Sequence, residues 1–448
     1  MKFSKIISLC MSILLITAAT SCNNTVDDNA PHEDHKEIEE EKPEELTVWI
    51  QETFNKEFNE QFAGLFDEFG KINDIKISVE VVNAASLRNS KLPSALESGE
   101  LPNITYMEPA SLVTYAEQGI IVPADKMIED LKEKGTEFYN SHLAATMVEG
   151  VPYAVPFSAQ SWMLWYRKDL LEEAGYDHAP ETWEEMLEMA KAVTDAEKGI
   201  YGAGFSAGES SSDFDNMAQV ALWSYGGSVM KDGEINLDSP ESREALKMLL
   251  EFFESGTVNP NMIYGNDKDN NEALISGEAC FIVNIPTIVS ELKQRAPQIW
   301  ENIGCAPLPA GPEGSFSLAT VNMLSVLDNG NNENYWASKA LSYVCNKKKL
   351  APILELVAPD YGMVYKDTMD NEKYMSDPIV AAHMQAIASG KYYNYPDEEF
   401  TKERSLLIKN SVYINNIVNY VVVEKMPFEE ALATEIEICK KTLKESAN

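Results

Sequence analysis

From Leu46 to Gly119 the chain alternates short apolar runs with amphipathic helices, and this alternation restricts it to a layered α/β architecture. Leu46 to Ile50 reads as a strand just after Pro43. The helix that follows carries Phe58, Phe62, Leu65, Phe66 and Phe69 on one stripe. Ile75 to Val82 is the next strand, Leu92 to Leu96 a helix ending near Gly99, Ile104 to Met107 a strand, and Ser111 to Gln118 a helix capped by Gly119. Strands separated by helices in this way predict parallel pairing.

A second legible stretch runs from Gly150 to Val193. Val151 to Phe157 is β-prone but interrupted by Pro152 and Pro156, which suits a crossing segment because proline cannot donate to a strand ladder. Trp162 to Tyr166 is a short apolar strand, and Lys168 to Ala174 a helix stopped by Gly175. Thr182 and Glu185 predict a capping box for a helix whose apolar face is Trp183, Met186, Leu187 and Ala190.

The N-terminal residues carry Lys2, Lys5, an apolar run from Ile6 to Ile16, and then Ala19-Thr20-Ser21-Cys22. These read as a signal peptide over 1–21 and a lipoprotein-type cleavage site, with Cys22 the lipidated residue. The run is too short to span a bilayer. Residues 22–45 are polar and acidic, and read as a disordered tether. Its His32 and His35 are isolated, so no metal is expected.

The formal charge of −36 rules against a nucleic-acid partner, which would need a concentrated basic surface. Cys280, Cys305, Cys345 and Cys439 are widely separated, lack zinc-ligand spacing and read as buried small hydrophobes. About four hundred residues follow the tether, enough for two lobes.

Several spaced motifs resemble those of the extracellular solute-binding proteins of sugar type, the family that feeds ABC importers and includes maltose-binding proteins. They are Gly150, Tyr153 and Pro156, then Tyr166-Arg167-Lys168-Asp169, Ala174-Gly175 and Pro180-Glu181-Thr182-Trp183. Ser98 to Asn103, Glu117 to Pro123, Gly226-Gly227, Glu272 to Ile282 and Pro307 to Pro312 extend the resemblance through nearly all of the body. Arg167 stands where the family usually has Asn, and Asn103 where it usually has Asp. Similarity of Ala19 to Cys22 to lipobox sequences implies a bacterial lipoprotein, exported and anchored at the cytoplasmic or outer membrane.

The resemblance implies a type II periplasmic-binding-protein-like fold: two α/β lobes joined by a multi-strand hinge, with a ligand cleft between them. The first lobe would comprise 46–156 and 304–345, the second 157–303 and 346–448, with crossings near Pro156 to Gln160, Ile303 to Leu308 and Val344 to Leu350. The function implied is a monomeric, non-enzymatic carrier that captures a small solute, most often a sugar in this family, and passes it to a membrane permease. No cofactor is implied.

Ligands of such sheets bind outside the carboxyl ends of the strands. That rule selects Gln51, Glu52 and Thr53 after the first strand, Met107 and Glu108 after the third, and Ser158, Gln160 and Trp162 after Pro156. In the second lobe and beyond it selects Asp215, Asn216, Trp223, Asn284, Asn322 and Tyr361. Amides and carboxylates suit hydroxyl pairs, and aromatic faces suit the apolar side of a sugar ring. By the resemblance, Gln160 occupies a ligand-carboxylate position of maltose-binding proteins, and Thr287 the position of a stacking tryptophan. Trp49, Trp183, Trp300 and Trp336 read as core or lobe surface.

Two enzymatic readings compete. Gly204-Phe205-Ser206-Ala207-Gly208 matches a hydrolase elbow, which would require a downstream acid and histidine; only His383 is available, inside an ordinary amphipathic helix. A carboxylate-pair glycosidase is the broader alternative, but nothing in the sequence selects a pair. Ligand presentation to a sensor without transport would use the same fold.

Overall fold

The computed structural model describes residues 41–445 apart from 54, 84–85, 210, 398–400 and 410–411. The expected signal peptide, Cys22, His32 and His35, and the tether up to Glu40 lie outside the described residues. Among the described residues no helix is long and apolar enough to cross a membrane.

In chain order the strands are β1 (Glu45–Gln51), β2 (Lys76–Val82), β3 (Ile104–Met107), β4 (Met147–Val148), β5 (Val151–Pro152), β6 (Val155–Ser161) and β7 (Met163–Arg167). Then come β8 (Tyr201–Ala203), β9 (Met230–Lys231), β10 (Glu234–Ile235), β11 (Ala279–Asn284), β12 (Ile303–Ala306) and β13 (Ala319–Val326). One sheet has the order β2-β1-β3-β13-β6 and another β12-β7-β11-β8. β1 is parallel to β2 and β3, as the alternation predicts, and β11 is parallel to β8. β13 is antiparallel to both β3 and β6, and β7 to both β11 and β12, so each sheet is mixed. The antiparallel members are strands that enter from, or leave for, the other lobe.

Each sheet has its own core. Under the first lies the helix Lys56–Asn73, whose stripe of Phe58, Phe62, Leu65, Phe66 and Phe69 is buried throughout. Removing five such side chains from water contributes on the order of 10 kcal/mol before conformational entropy is subtracted. The second core gathers Trp165, Trp183, Trp223, Phe252 and Phe281. Of the other tryptophans read as core or surface, Trp49, Trp300 and Trp336 are half-buried. Cys280, Cys345 and Cys439 are buried free thiols, whereas Cys305 on the edge strand β12 is only half-buried.

The chain changes core in three places. Ala159 belongs to the first core and Trp162 to the second; Leu318 to the second and Ala319 to the first sheet; Ile387 to the first and Tyr393 packs against the second. These segments lie side by side. Trp162 donates its N–H to the Leu318 carbonyl, Lys391 donates to Ser317, and Ala319 donates back to Lys391. The Ser161 and Ser317 hydroxyls are hydrogen-bonded to each other. Together they form the hinge.

Three expectations about segment membership are corrected by this packing. β6 lies wholly in the first sheet, so the change of core comes after 159 rather than at 156/157. β12 belongs to the second sheet, and the return to the first falls at 318/319 rather than at 303/304. No crossing occurs near Val344 to Leu350: both residues are in the first core, as are Ile353, Leu354, Tyr361 and Met384. The segment 347–387 therefore covers the first sheet. Apolar periodicity shows which helix face is buried but not which sheet it meets.

Candidate functional site

The carboxyl ends of both sheets face the junction of the lobes, and the polar side chains gathered there come from β1, β3, β6, β11 and β13. The register between β6 and β13 shifts between Asn322 and Met323, after which Ser158 pairs with Asn322 and Gln160 with Thr320. Side chains two residues apart then share one side of the strand. Asn322 donates from Nδ2 to Ser158 Oγ at 2.9 Å, and its Oδ1 accepts from Tyr106 OH at 3.0 Å. Gln160 donates from Nε2 to the Asp360 carbonyl at 2.9 Å. Trp162 is 5% exposed, and its indole N–H has no hydrogen-bond partner.

The segment after the helix Lys347–Leu356 closes on this strand. Ala159 and Gly362 exchange backbone hydrogen bonds of 3.0 and 2.8 Å. A Cβ at Gly362 would fall 2.2 Å from the terminal methyl of Ile387, so a larger residue there would have to displace that side chain. Tyr361 stacks on Phe58 with ring centroids 5.4 Å apart and is hydrogen-bonded to Thr53. Thr53 itself is fixed by Asn59, whose Oδ1 accepts from its N–H and hydroxyl. Glu52 is exposed, and its N–H continues the β2 ladder to Val82.

Gln51, Met107 and Glu108 meet at a small pocket completed by Arg88, Tyr106 and Tyr115. Glu108 precedes the helix Pro109–Glu117 and accepts from Arg88 Nη1 at 3.2 Å. From the second lobe, Asn216 Oδ1 accepts from Tyr393 OH at 2.9 Å. Burial raises the Tyr393 hydroxyl pKa, and the carboxylates of Asp215, Asp213 and Glu108 raise it further. One phenol therefore feels acids from both lobes. Asp215, 1% exposed, accepts from Gln219 at 3.1 Å, and burial pushes its carboxyl up to about 6. Asn284 ends β11, donating to Asn271 Oδ1 at 2.5 Å and to Asp213 Oδ2 at 3.4 Å.

Trp223 stands apart. It is 2% exposed in the helix Ser212–Ser224 and packs edge-on against Tyr395, within the second core. Arg88, Tyr106, Asp213 and Tyr393 belong to the cluster and were not among the sequence-selected residues. Tyr106 was one position from a selected residue; Tyr393 follows the third crossing, which the sequence did not locate.

The hydrolase arrangement is not assembled. His383 Nε2 accepts from the Ser161 N–H at 3.0 Å, the ring is hydrogen-bonded to the Pro359 backbone, and burial pulls its pKa down to about 3. Ser206 instead faces Gly265. Among the described residues no group of three or more His, Cys, Asp or Glu could hold a metal ion.

Residues 51–348 match the family described as bacterial extracellular solute-binding protein. A relative in Brucella abortus, named as a binding protein, is 26% identical over 305 residues, 67% of this chain and 72% of its own length. The maltodextrin-binding protein MdxE of Bacillus subtilis is 27% identical over 281 residues, 60% of this chain and 61% of its own. An ABC transporter solute-binding protein of Thermotoga lettingae, bound with alpha-D-tagatose, has a similar fold: TM-score 0.74 at 21% identity, covering 90% of this chain and 100% of that one. Maltose-bound MalE3 of T. maritima gives a TM-score of 0.71 at 21% identity, over 88% of this chain and 99% of its own. Two lobes, a hinge of three crossings, a polar aromatic cleft and a family match over most of the chain agree: this protein belongs to the bacterial extracellular solute-binding proteins.

Proposed function

We propose that this chain is the exported, lipid-anchored substrate-binding protein of an ABC importer, and that its solute is a sugar or oligosaccharide delivered to a membrane permease. The observation that carries this reading is the relay from Tyr106 through Asn322 to Ser158, flanked by Gln160, Trp162 and Tyr361 where the lobes meet. Amide and hydroxyl groups that both donate and accept, set beside aromatic faces, match the hydroxyls and C–H faces of a pyranose. Relatives named for maltodextrin and galactooligosaccharide binding support the solute class.

Capture proceeds by closure about the hinge. A solute that touches both lobes binds the closed form better and so shifts the population toward it. Cys22 carries the anchor, and the protein acts as a monomer. It does not turn its solute over: the family consists of binding proteins, and the only histidine downstream of Ser206 is occupied elsewhere.

A thermal-shift screen against neutral mono- and oligosaccharides, with linear peptides and polyols as controls, tests the reading. A rise in melting temperature with one sugar class is expected, together with recovery of that sugar unchanged. Released product would move the protein to the carbohydrate-active enzymes, and a response to peptides alone would reject the solute class. Replacing Gln160 and Trp162 together is expected to abolish calorimetric binding while leaving the unfolding transition in place.

A further inference from the structure

Asp360 is 3% exposed, and nothing in the pattern of the sequence singled it out. Its neighbours place it between the lobes. Its carbonyl accepts from Gln160, and Tyr361 beside it bonds to Thr53 just beyond the carboxyl end of β1. From the opposite lobe, Ser290 Oγ donates to Asp360 Oδ2 at 2.7 Å. Ser290 lies in the helix Ile288–Arg295, which starts four residues after β11 ends and buries Ile288, Val289 and Leu292 in the second core. The bond therefore spans the cleft.

The other carboxylate oxygen is different. Oδ1 is buried and has no hydrogen-bond partner. A buried carboxylate oxygen without a donor is costly, and such groups call for a specific explanation. Burial pushes the Asp360 carboxyl up to about 6, against the bond from Ser290 and the positive charge of Lys293 one turn further along the same helix. Lys293 offsets part of the Asp360 charge, and what Oδ1 lacks is a hydrogen-bond donor.

We propose that Asp360 is a solute-binding residue: with Oδ2 held by Ser290 across the cleft, Oδ1 accepts a hydroxyl from an uncharged, polyhydroxylated solute. One carboxylate then registers both closure and occupancy, since its two oxygens are satisfied together only when the lobes meet around a donor. The same negative charge rejects solutes that carry a carboxylate or phosphate at that position. This inference rests on the sugar-binding reading and adds to it a residue and a selection rule.

The test uses the full chain and calorimetry with maltose, laminaribiose and tagatose, each compared with glucuronate. A hydrogen bond to a charged acceptor is worth roughly 10- to 150-fold in affinity. Asp360→Ala is expected to weaken binding of the preferred neutral sugar by about that factor, and Asp360→Asn by at least about 10-fold. Ser290→Ala removes the clasp on Oδ2 but leaves Oδ1 in place, so it should weaken the neutral sugar while preserving the discrimination against glucuronate. Asp360→Asn should also unfold at a temperature no lower than the parent, which separates lost binding from lost folding. Parent-like affinity in Asp360→Ala, or discrimination against glucuronate that survives in Asp360→Asn, overturns the inference and leaves the sugar reading intact. Failure of the parent protein to bind any neutral sugar of the thermal-shift panel overturns both.

Discussion

Asn103 and Arg167 depart from the family pattern, and both have local reasons. Asn103 Oδ1 accepts from the Thr47 N–H at 2.8 Å, while Nδ2 donates to Glu333 Oε2 at 2.6 Å. An aspartate there would lose the donor and set two carboxylates together. Arg167 forms a bidentate pair with Asp169, at 2.7 and 2.6 Å, which an asparagine could not reach. Glu435 is the more exposed weakness. It is fully buried, Oε1 accepts from Asn416 at 3.1 Å, Oε2 has no partner, and burial pushes its carboxyl up to about 7. A carboxyl whose pKa is higher folded than unfolded stabilises the fold fully below its unfolded pKa, and that contribution is lost as pH rises through about 7. His142 and His383, held down to about 4 and 3 by burial, act oppositely but only below roughly pH 6.5. Denaturant midpoints should therefore rise from about pH 8 to about pH 6.5 in the parent, and Glu435→Gln should flatten that rise. An unchanged slope in the variant would assign it to other groups.

At the scale of elements, what could be read in advance was what local chemistry determines. The helix Trp183–Val193 starts at Thr182 as expected, with Thr182 Oγ1 accepting from the Glu185 N–H at 3.1 Å. The reciprocal arm differs: Glu185 Oε2 reaches past the cap to the Glu181 N–H at 2.6 Å, and its other oxygen meets His178. Thr182→Ala should cost about 1 kcal/mol, read from chemical denaturation, while solute affinity stays unchanged because the cap lies in the second lobe's outer architecture. The ends of β1 and β3 were legible for the same reason, and with them Gln51, Met107 and Glu108, whereas Ser158 and Asn322 fall inside β6 and β13 and Tyr361 follows a helix. Trp223 is turned into the second core against Tyr395, which its place before Gly226-Gly227 does not reveal. Lobe membership of 347–387 was not legible at all: Leu350, Ile353 and Leu354 give a helical face that would fit either sheet. Only non-local packing decides.

For the molecule as a whole, the three crossings make neither lobe a contiguous stretch of chain. The first core needs Phe58 and Val155 and also Leu354, Met384 and Ile387, so it draws on residues more than three hundred positions apart. A chain ending before Lys347 would strip the helix Lys347–Leu356 from the helix Lys56–Asn73 and the helix Pro378–Ser389 from β6, and is expected to lack a cooperative unfolding transition and to aggregate when expressed. A sharp calorimetric transition from that fragment would refute this account of the core. The hinge thus bears on biogenesis as well as on binding. A polypeptide threaded through an export channel from its N-terminus cannot complete its first half until nearly all of it has emerged. The same crossings that join the two cores in the finished molecule would also delay completion of the first core until Ile387 has emerged.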